Sequence, residues 1–192
     1  MQQTHRIAIF ASGTGTNARN IIAFFECHPY IRVSLVVTNK ADAGVLEVAK
    51  QARIPSVYIS NADINRSEVV LGILEQYQIS FIVLAGFLRL IPPYLVAHYP
   101  SHIVNIHPAL LPKYGGKGMY GMNVHQAVIQ NGETESGITI HYVNEHYDEG
   151  HIVMQAHCNV AVNDTPETLA KKIHELEYQH YPLAITHILT KS

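Results

Sequence analysis

Short apolar runs alternate along this chain with stretches whose apolar residues recur every three or four positions. Residues 7–11, 33–37 and 81–85 are runs of the first kind, the mark of strands buried on both faces of a parallel sheet. Helical stripes lie between them: one through Ile21, Ile22, Phe24 and Phe25, stopped by Pro29, and one over 44–52 through Val45, Leu46, Val48 and Ala49. Residues 57–59 read as a short strand, and Asn65 or Ser67 is placed to cap a helix reaching about Tyr77. Pro92 and Pro93 open a short helix ending near His98. Residues 103–106 form the next strand, halted by Pro108 and Pro112, which lack backbone donors.

The texture changes after this strand. A loop with five glycines between Gly115 and Gly132 contains a helical stretch over 124–129. Residues 136–143 and 151–162 are β-rich and separated by a polar turn, which reads as an antiparallel addition to the parallel sheet. Asp164 or Thr165, with Pro166 and Glu167, starts a last helix whose Leu169, Ile173, Leu176 and His180 share a face, and Pro182 is expected to kink it rather than end it. The pattern predicts one three-layer α/β domain over 1–192, Rossmann-like in its first half, with a mostly parallel sheet, an antiparallel C-terminal extension and a long C-terminal helix.

Composition narrows the classes. The chain has 192 residues, 47% apolar and 15% charged, enough for one domain with a proper core. Thirteen basic and fifteen acidic residues give a formal charge of −2, so no basic field points to nucleic acid. The N-terminus, Met1-Gln2-Gln3-Thr4-His5-Arg6, is not a signal peptide, and no run approaches a membrane span. Cys27 and Cys158 match no metal or redox spacing. A cytoplasmic protein acting on small molecules, as monomer or homodimer, is expected.

Three groups of residues carry candidate chemistry. Asn105 and His107 are two apart on the strand over 103–106 and its exit, so they share a face at the strand's C-terminal end, where open α/β sheets bind ligands. A carboxamide donor beside an imidazole suits a reaction in which a carbonyl oxygen becomes negative and a proton moves. Asp148, in the Tyr147-Asp148-Glu149-Gly150 turn, is the candidate carboxylate to join them. The turn Gly13-Thr14-Gly15-Thr16-Asn17, between the first strand and first helix, suits an anion at a helix N-terminus. Its hydroxyls and amide favour a terminal phosphate, yet with Ala18 it also fits the GxGxxA spacing of dinucleotide folds, so an NAD(P)-binding module is a competitor. Against that reading, the second strand ends in Thr38-Asn39-Lys40, without an acid for a ribose hydroxyl. His141, His146, His151 and His157 fit no zinc spacing, and no metal is expected.

Taken together, these stretches resemble the folate-dependent glycinamide ribonucleotide formyltransferases of purine synthesis. The likeness runs through the turn over 12–17, Thr38-Asn39-Lys40-Ala41-Asp42-Ala43, Val83-Leu84-Ala85-Gly86-Phe87-Leu88-Arg89, Asn105-Ile106-His107-Pro108-Ala109-Leu110-Leu111-Pro112-Lys113, His141-Tyr142-Val143 and the Asp148 turn. It implies a three-layer formyltransferase fold with a phosphate-binding half over 1–110 and a folate and active-site half over 111–192. It implies that Asn105, His107 and Asp148 are catalytic, and that Gly13, Thr14, Gly15, Thr16, Asn17 and Glu177 bind the ribonucleotide. Arg66, Leu88, Arg89, Leu90, Ile91, Asn105, Asn144, Glu145, His146, Tyr147 and Asp148 would then receive the co-substrate, 10-formyltetrahydrofolate. The implied reaction is direct attack of the substrate amine on the formyl carbon, with His107 kept cationic by Asp148. The alternative within the resemblance is a 10-formyltetrahydrofolate hydrolase, in which water replaces the amine. Such hydrolases carry a further N-terminal regulatory domain, and the related formyltransferases acting on initiator methionyl-tRNA carry a basic C-terminal one. Neither is expected here.

Overall fold

The computed structural model describes residues 4–190, so Met1, Gln2 and Gln3, part of the expected non-signal N-terminus, and the chain end at Lys191 and Ser192 lie outside the described residues. Seven strands form one sheet in the order β3-β2-β1-β4-β5-β6-β7. Strands β1 (His5–Phe10), β2 (Ile31–Thr38), β3 (Ser56–Tyr58), β4 (Phe81–Leu84) and β5 (Ile103–His107) pair in parallel. Strands β6 (Glu135–Tyr142) and β7 (Ile152–Asn159) add antiparallel ladders beside β5. The strand order turns outward in both directions from β1 and β4, which leaves a crevice at their C-terminal ends.

Alternation along the strands sorts side chains into two cores, one on each face of the sheet. From β1, Ile7 and Ile9 enter one core and Ala8 and Phe10 the other. The first core is completed by helices α1 (Thr16–Phe25), α2 (Val45–Gln51), α5 (Met122–Gln130) and α6 (Pro166–Thr190), through residues such as Ile21, Val45, Val128 and Ile173. The second is completed by α3 (Ser67–Gln76) and α4 (Pro93–His98), through Val70, Leu74 and Leu95. The result is the expected three-layer arrangement.

Two local readings change. Neither Asn65 nor Ser67 caps α3: Arg66 holds the N-cap position without a side-chain capping bond, and Asn65 closes a single 3₁₀ turn, Asp63–Asn65. Strand β5 also extends one residue further than expected and includes His107. In α6, the helix continues through Pro182 to Thr190. A proline cannot bond the carbonyl four residues back. Here that carbonyl belongs to Tyr178 and accepts Asn20 Nδ2–H from α1 at 2.8 Å. The fully buried Tyr181 ties the same helix to the sheet, its hydroxyl set against the carbonyls of Leu84 (2.8 Å), at the end of β4, and Val104 (3.2 Å), within β5. The long helix is thereby anchored where the crevice opens.

Candidate active site

Asn105 and His107 leave β5 on one face, as their spacing requires, and β6 brings His141 directly opposite Asn105. Asp148 arrives through the turn between β6 and β7. Gly150 makes that return possible: a Cβ there would collide with the Tyr142 carbonyl oxygen. Tyr142 N–H also donates to His151 O across the neck of the turn, at 2.9 Å. Asp148 itself takes φ +57°, a conformation that short polar residues tolerate. The Pro-rich exit from β5 is held by the buried Thr139 hydroxyl, which donates to Ala109 O (2.7 Å) and accepts Leu111 N–H (2.9 Å).

The resulting contacts fix ring orientations. His107 Nε2 lies 2.7 Å from Tyr114 O, so that nitrogen carries the proton and donates, and Nδ1 faces Asp148 Oδ2 at 3.5 Å. His141 Nδ1 lies 2.9 Å from Tyr142 O and donates in the same way. In the neutral ring Nε2 then accepts from Asn105 Nδ2 at 3.2 Å, which sets the Asn105 amide and leaves its second N–H free. His141 Nε2 also lies 3.6 Å from Asp148 Oδ1, and Gly116 N–H donates to Oδ2 at 2.9 Å.

Burial dominates the electrostatics of His107. Desolvation pushes its pKa below the ordinary histidine value, and the opposing Asp148 charge and Tyr114 carbonyl do not make up the difference. Burial, with only 3% of the residue exposed, thus works against the cation that the Asp148 charge favours. For Asp148 burial acts upward, but His141 and His107, each in its protonated form, and the Gly116 N–H outweigh it and hold the carboxyl below its usual range.

A cleft of about 410 Å³ connects this group to the glycine turn and to α6, within the size range of small-molecule sites. At its far end α1 begins at Gly15 with no side-chain cap, and the first intrahelical bond is Arg19 N–H to Gly15 O. The amides of Thr16, Asn17 and Ala18 are thus unspent, the arrangement that binds phosphate. Gly15 has φ +80°, and a Cβ there would lie 2.8 Å from Val45 Cα, so α2 packs directly on the turn. Glu177 is buried and accepts from Asn17 Nδ2 and from His174 Nδ1, both at 2.9 Å. The hydrogen bond to Glu177 raises the His174 pKa.

The sequence relationships agree with this geometry. The formyl transferase family model matches residues 5–185. This chain belongs to the formyl transferase family. It is similar to the phosphoribosylglycinamide formyltransferase of Haemophilus influenzae, with 39% identity over 187 residues, covering 94% of this chain and 85% of that one. The chloroplastic phosphoribosylglycinamide formyltransferase of Arabidopsis thaliana is 44% identical over 183 residues, covering 92% of this chain and 62% of the relative. The chain thus spans about six-tenths of the length of the chloroplastic relatives it matches. The crystal structure of phosphoribosylglycinamide formyltransferase from Bacillus halodurans superposes with a TM-score of 0.86 at 38% identity, covering 97% of this chain and 96% of that one.

In this chain the cleft is lined by Thr14, Gly15, Thr16, Asn17 and Glu177 and by Asn105, His107 and Asp148. Leu88, Arg89, Leu90, Ile91, His146 and Tyr147 line it too. Gly13, Asn144 and Glu145 fall outside its lining, and so does Arg66. The Arg66 guanidinium is exposed and held by Asp63 at 3.4 Å and Glu68 at 3.1 Å. The dinucleotide reading loses its footing at Asn39, which is buried and bonded to Ser12 and Asn61 where such folds present an acid. Among the described residues no group of three His, Cys, Asp or Glu side chains could hold a metal, and no helix is long and apolar enough to cross a membrane.

Sequence reasoning missed His125 and His174 as lining residues and assigned no role to His141 beyond the family likeness. His125 sits on the buried face of α5 with Nδ1 unpartnered, and His174 precedes Glu177 by one helical turn. The helical spacing of His174 and Glu177 was the one signal available. Gly116, Lys117, Gly118, Met119, Tyr120 and Gly121 supply the loop side of the cleft.

Proposed function

We propose that this chain transfers the formyl group of 10-formyltetrahydrofolate to the amine of glycinamide ribonucleotide. The observation that carries the reading is one cleft with two ends: uncapped helix amides beside Glu177, and the Asn105, His107 and Asp148 group. The first end suits a phosphorylated ribose. The second suits a tetrahedral intermediate. The irregular segment over 86–91, together with His146 and Tyr147, offers the wall between them for the flat ring of the folate.

In this reading the amine attacks the formyl carbon, the C=O bond opens, and the free N–H of Asn105 Nδ2 donates to the developing oxyanion. Such a donor contributes about 2.7–4 kcal/mol in comparable sites. The proton that the attacking amine loses is taken up by His107 at Nδ1, the nitrogen facing Asp148, as negative charge appears beside it. That proton is then delivered to N10 of the folate as the oxyanion collapses, the C=O bond re-forms and the C–N10 bond breaks. Asp148 holds the imidazolium while this transfer proceeds. The cleft fits the folate as co-substrate, and no step requires a covalent enzyme intermediate.

Assaying folate release with and without glycinamide ribonucleotide tests the reading. Release that depends on the ribonucleotide, with formylated product in equal amount, is the expected result. Equal release without it would assign the chain to hydrolysis instead. A gain in melting temperature with NAD(P) would restore the dinucleotide alternative.

A further inference from the structure

Ser12 belongs to the stretch that resembles a phosphate turn, yet its hydroxyl is committed elsewhere. The residue is 2% exposed and does not line the cleft. Its single hydroxyl proton goes to Asn39 Oδ1 at 2.6 Å, and its oxygen accepts Leu88 N–H at 3.0 Å. Asn39 Nδ2 in turn donates to Asn61 Oδ1 at 2.9 Å. That bond decides which end of the Asn39 amide faces Ser12, and so which way the hydroxyl points. The relay joins the ends of β1 and β2 to the segment that follows β4.

That segment needs a fastening. Residues 87–91 form no helix or strand, and among the described residues their only hydrogen bond is the one from Leu88 N–H to Ser12. Phe87 packs edge-on to Phe10 at 5.4 Å and Ile91 is buried, so the two ends are held by packing. The backbone groups of Arg89 and Leu90 are unspent beside the cleft. A wall whose polar backbone must meet a rigid heteroaromatic ring recognises it only if that backbone is held in place.

We propose that Ser12, oriented by Asn39 and Asn61, is the positioning residue for the formyl-donor wall, setting the folate's affinity without touching either substrate. The proposal rests on the formyl-transfer reading of the cleft. Removing the hydroxyl leaves Leu88 N–H and the buried Asn39 Oδ1 without their partner, and the wall relaxes to satisfy them. The uncapped α1 amides do not depend on this relay.

The test is calorimetric titration of the full chain with 10-formyltetrahydrofolate and, separately, with glycinamide ribonucleotide. Ser12→Ala and Asn39→Leu are each expected to weaken folate binding about tenfold while the ribonucleotide Kd stays within about twofold. The double variant is expected to lose little more than either single one, because both break one relay. Asn39→Asp keeps an acceptor for Ser12, and Asn61 can turn its amide to donate, so folate binding recovers to within about threefold of wild type. Asn61→Ala removes only an exposed end of the relay and gives a smaller loss of the same selectivity in a chain that folds. A purely structural role would lower the melting temperature and weaken both ligands alike, and that result would overturn the anchor. Unchanged folate binding across these variants would overturn it as well. Absence of folate binding by the wild type would overturn the reading of the cleft, and the anchor with it.

Discussion

Gly15→Ala distinguishes a turn that is merely permissive from one that is required. The residue sits at φ +80°, where an L side chain costs about 1–2 kcal/mol. The new Cβ would lie 2.8 Å from Val45 Cα and 2.9 Å from Val45 Cβ, closer than such atoms approach. The first of these is backbone, so α2 must move as a unit. Val45 N–H is bonded to Gly13 O at 3.1 Å, and pushing α2 outward pulls on the turn itself. Strain and displacement together are expected to cost about 2–5 kcal/mol, since overpacking of this kind alone costs about 1–3. For a domain of this size that is a fall in melting temperature of roughly 4–20 °C. The misplaced Thr16 and Asn17 amides should raise the KM for the ribonucleotide at least tenfold and leave the folate Kd nearly unchanged. Gly13→Ala is the control: its Cβ would meet nothing within 4 Å and its φ is not positive. It should be neutral in stability or better by about 0.4–1 kcal/mol. Urea unfolding and steady-state kinetics read both effects. A Gly15→Ala chain as stable as wild type with an unchanged ribonucleotide KM would refute the reasoning, and so would a Gly13→Ala chain damaged to the same degree.

Asn105→Ala is expected to lower kcat by about 10²–10³-fold, and adding His107→Ala should cost less than the product of the single losses, because both serve one oxyanion; full additivity in kcat would place them in separate steps. Tyr181→Phe removes a buried donor shared by carbonyls of two neighbouring strands. A loss of about 1–3 kcal/mol in urea unfolding is expected, and an unchanged midpoint would show those carbonyls satisfied otherwise. Asp148→Asn should shift the His107 titration, followed by NMR, further below its ordinary value and reduce kcat sharply; an unmoved resonance would separate the two residues. The depressed Asp148 carboxyl and the depressed His107 ring act together on stability. In each case the unfolded chain binds the proton more readily, so urea midpoints should fall as pH drops below about 6.5 and fall again through the carboxylate range. A midpoint flat between pH 7 and 4 would contradict both directions.

Much of the fold was legible because its strands are short apolar runs bounded by Gly, Pro and Asn, signals that act locally. The antiparallel extension was legible for the same reason: the alternation after residue 132 differs from the unbroken runs before it. The site was legible where it lies on a strand end, as at Asn105 and His107, or on a strand-to-helix turn, as at Gly15 to Asn17. Other residues reach the cleft by helix packing. His125 and His174 do so from α5 and α6, and nothing in a period of three or four identifies which cleft a helix face will meet. Arg66 lies outside the cleft lining, and its exposed guanidinium is paired with Asp63 at i−3 and Glu68 at i+2, neighbours that the likeness alone did not identify. Pro182 is a third case, since the proline's effect on the helix depends on Asn20, far away in sequence, serving the carbonyl it leaves open.

The electrostatics of His107 are set by more than its neighbouring carboxylate. Asp148 favours the cation, but it also faces Gly116 N–H and His141, and burial pushes the His107 pKa below its ordinary value. The ring donates from Nε2 to Tyr114 O, with Nδ1 toward Asp148. Negative charge on the formyl oxygen adds a second anion near the ring, and protonation at Nδ1 becomes more favourable in the transition state than before it. An interaction that strengthens as the reaction proceeds lowers the barrier, whereas a standing cation would bind the neutral formyl group and the oxyanion with less discrimination. The burial that lowers the His107 pKa is, on this argument, what makes the cation's appearance in the transition state useful.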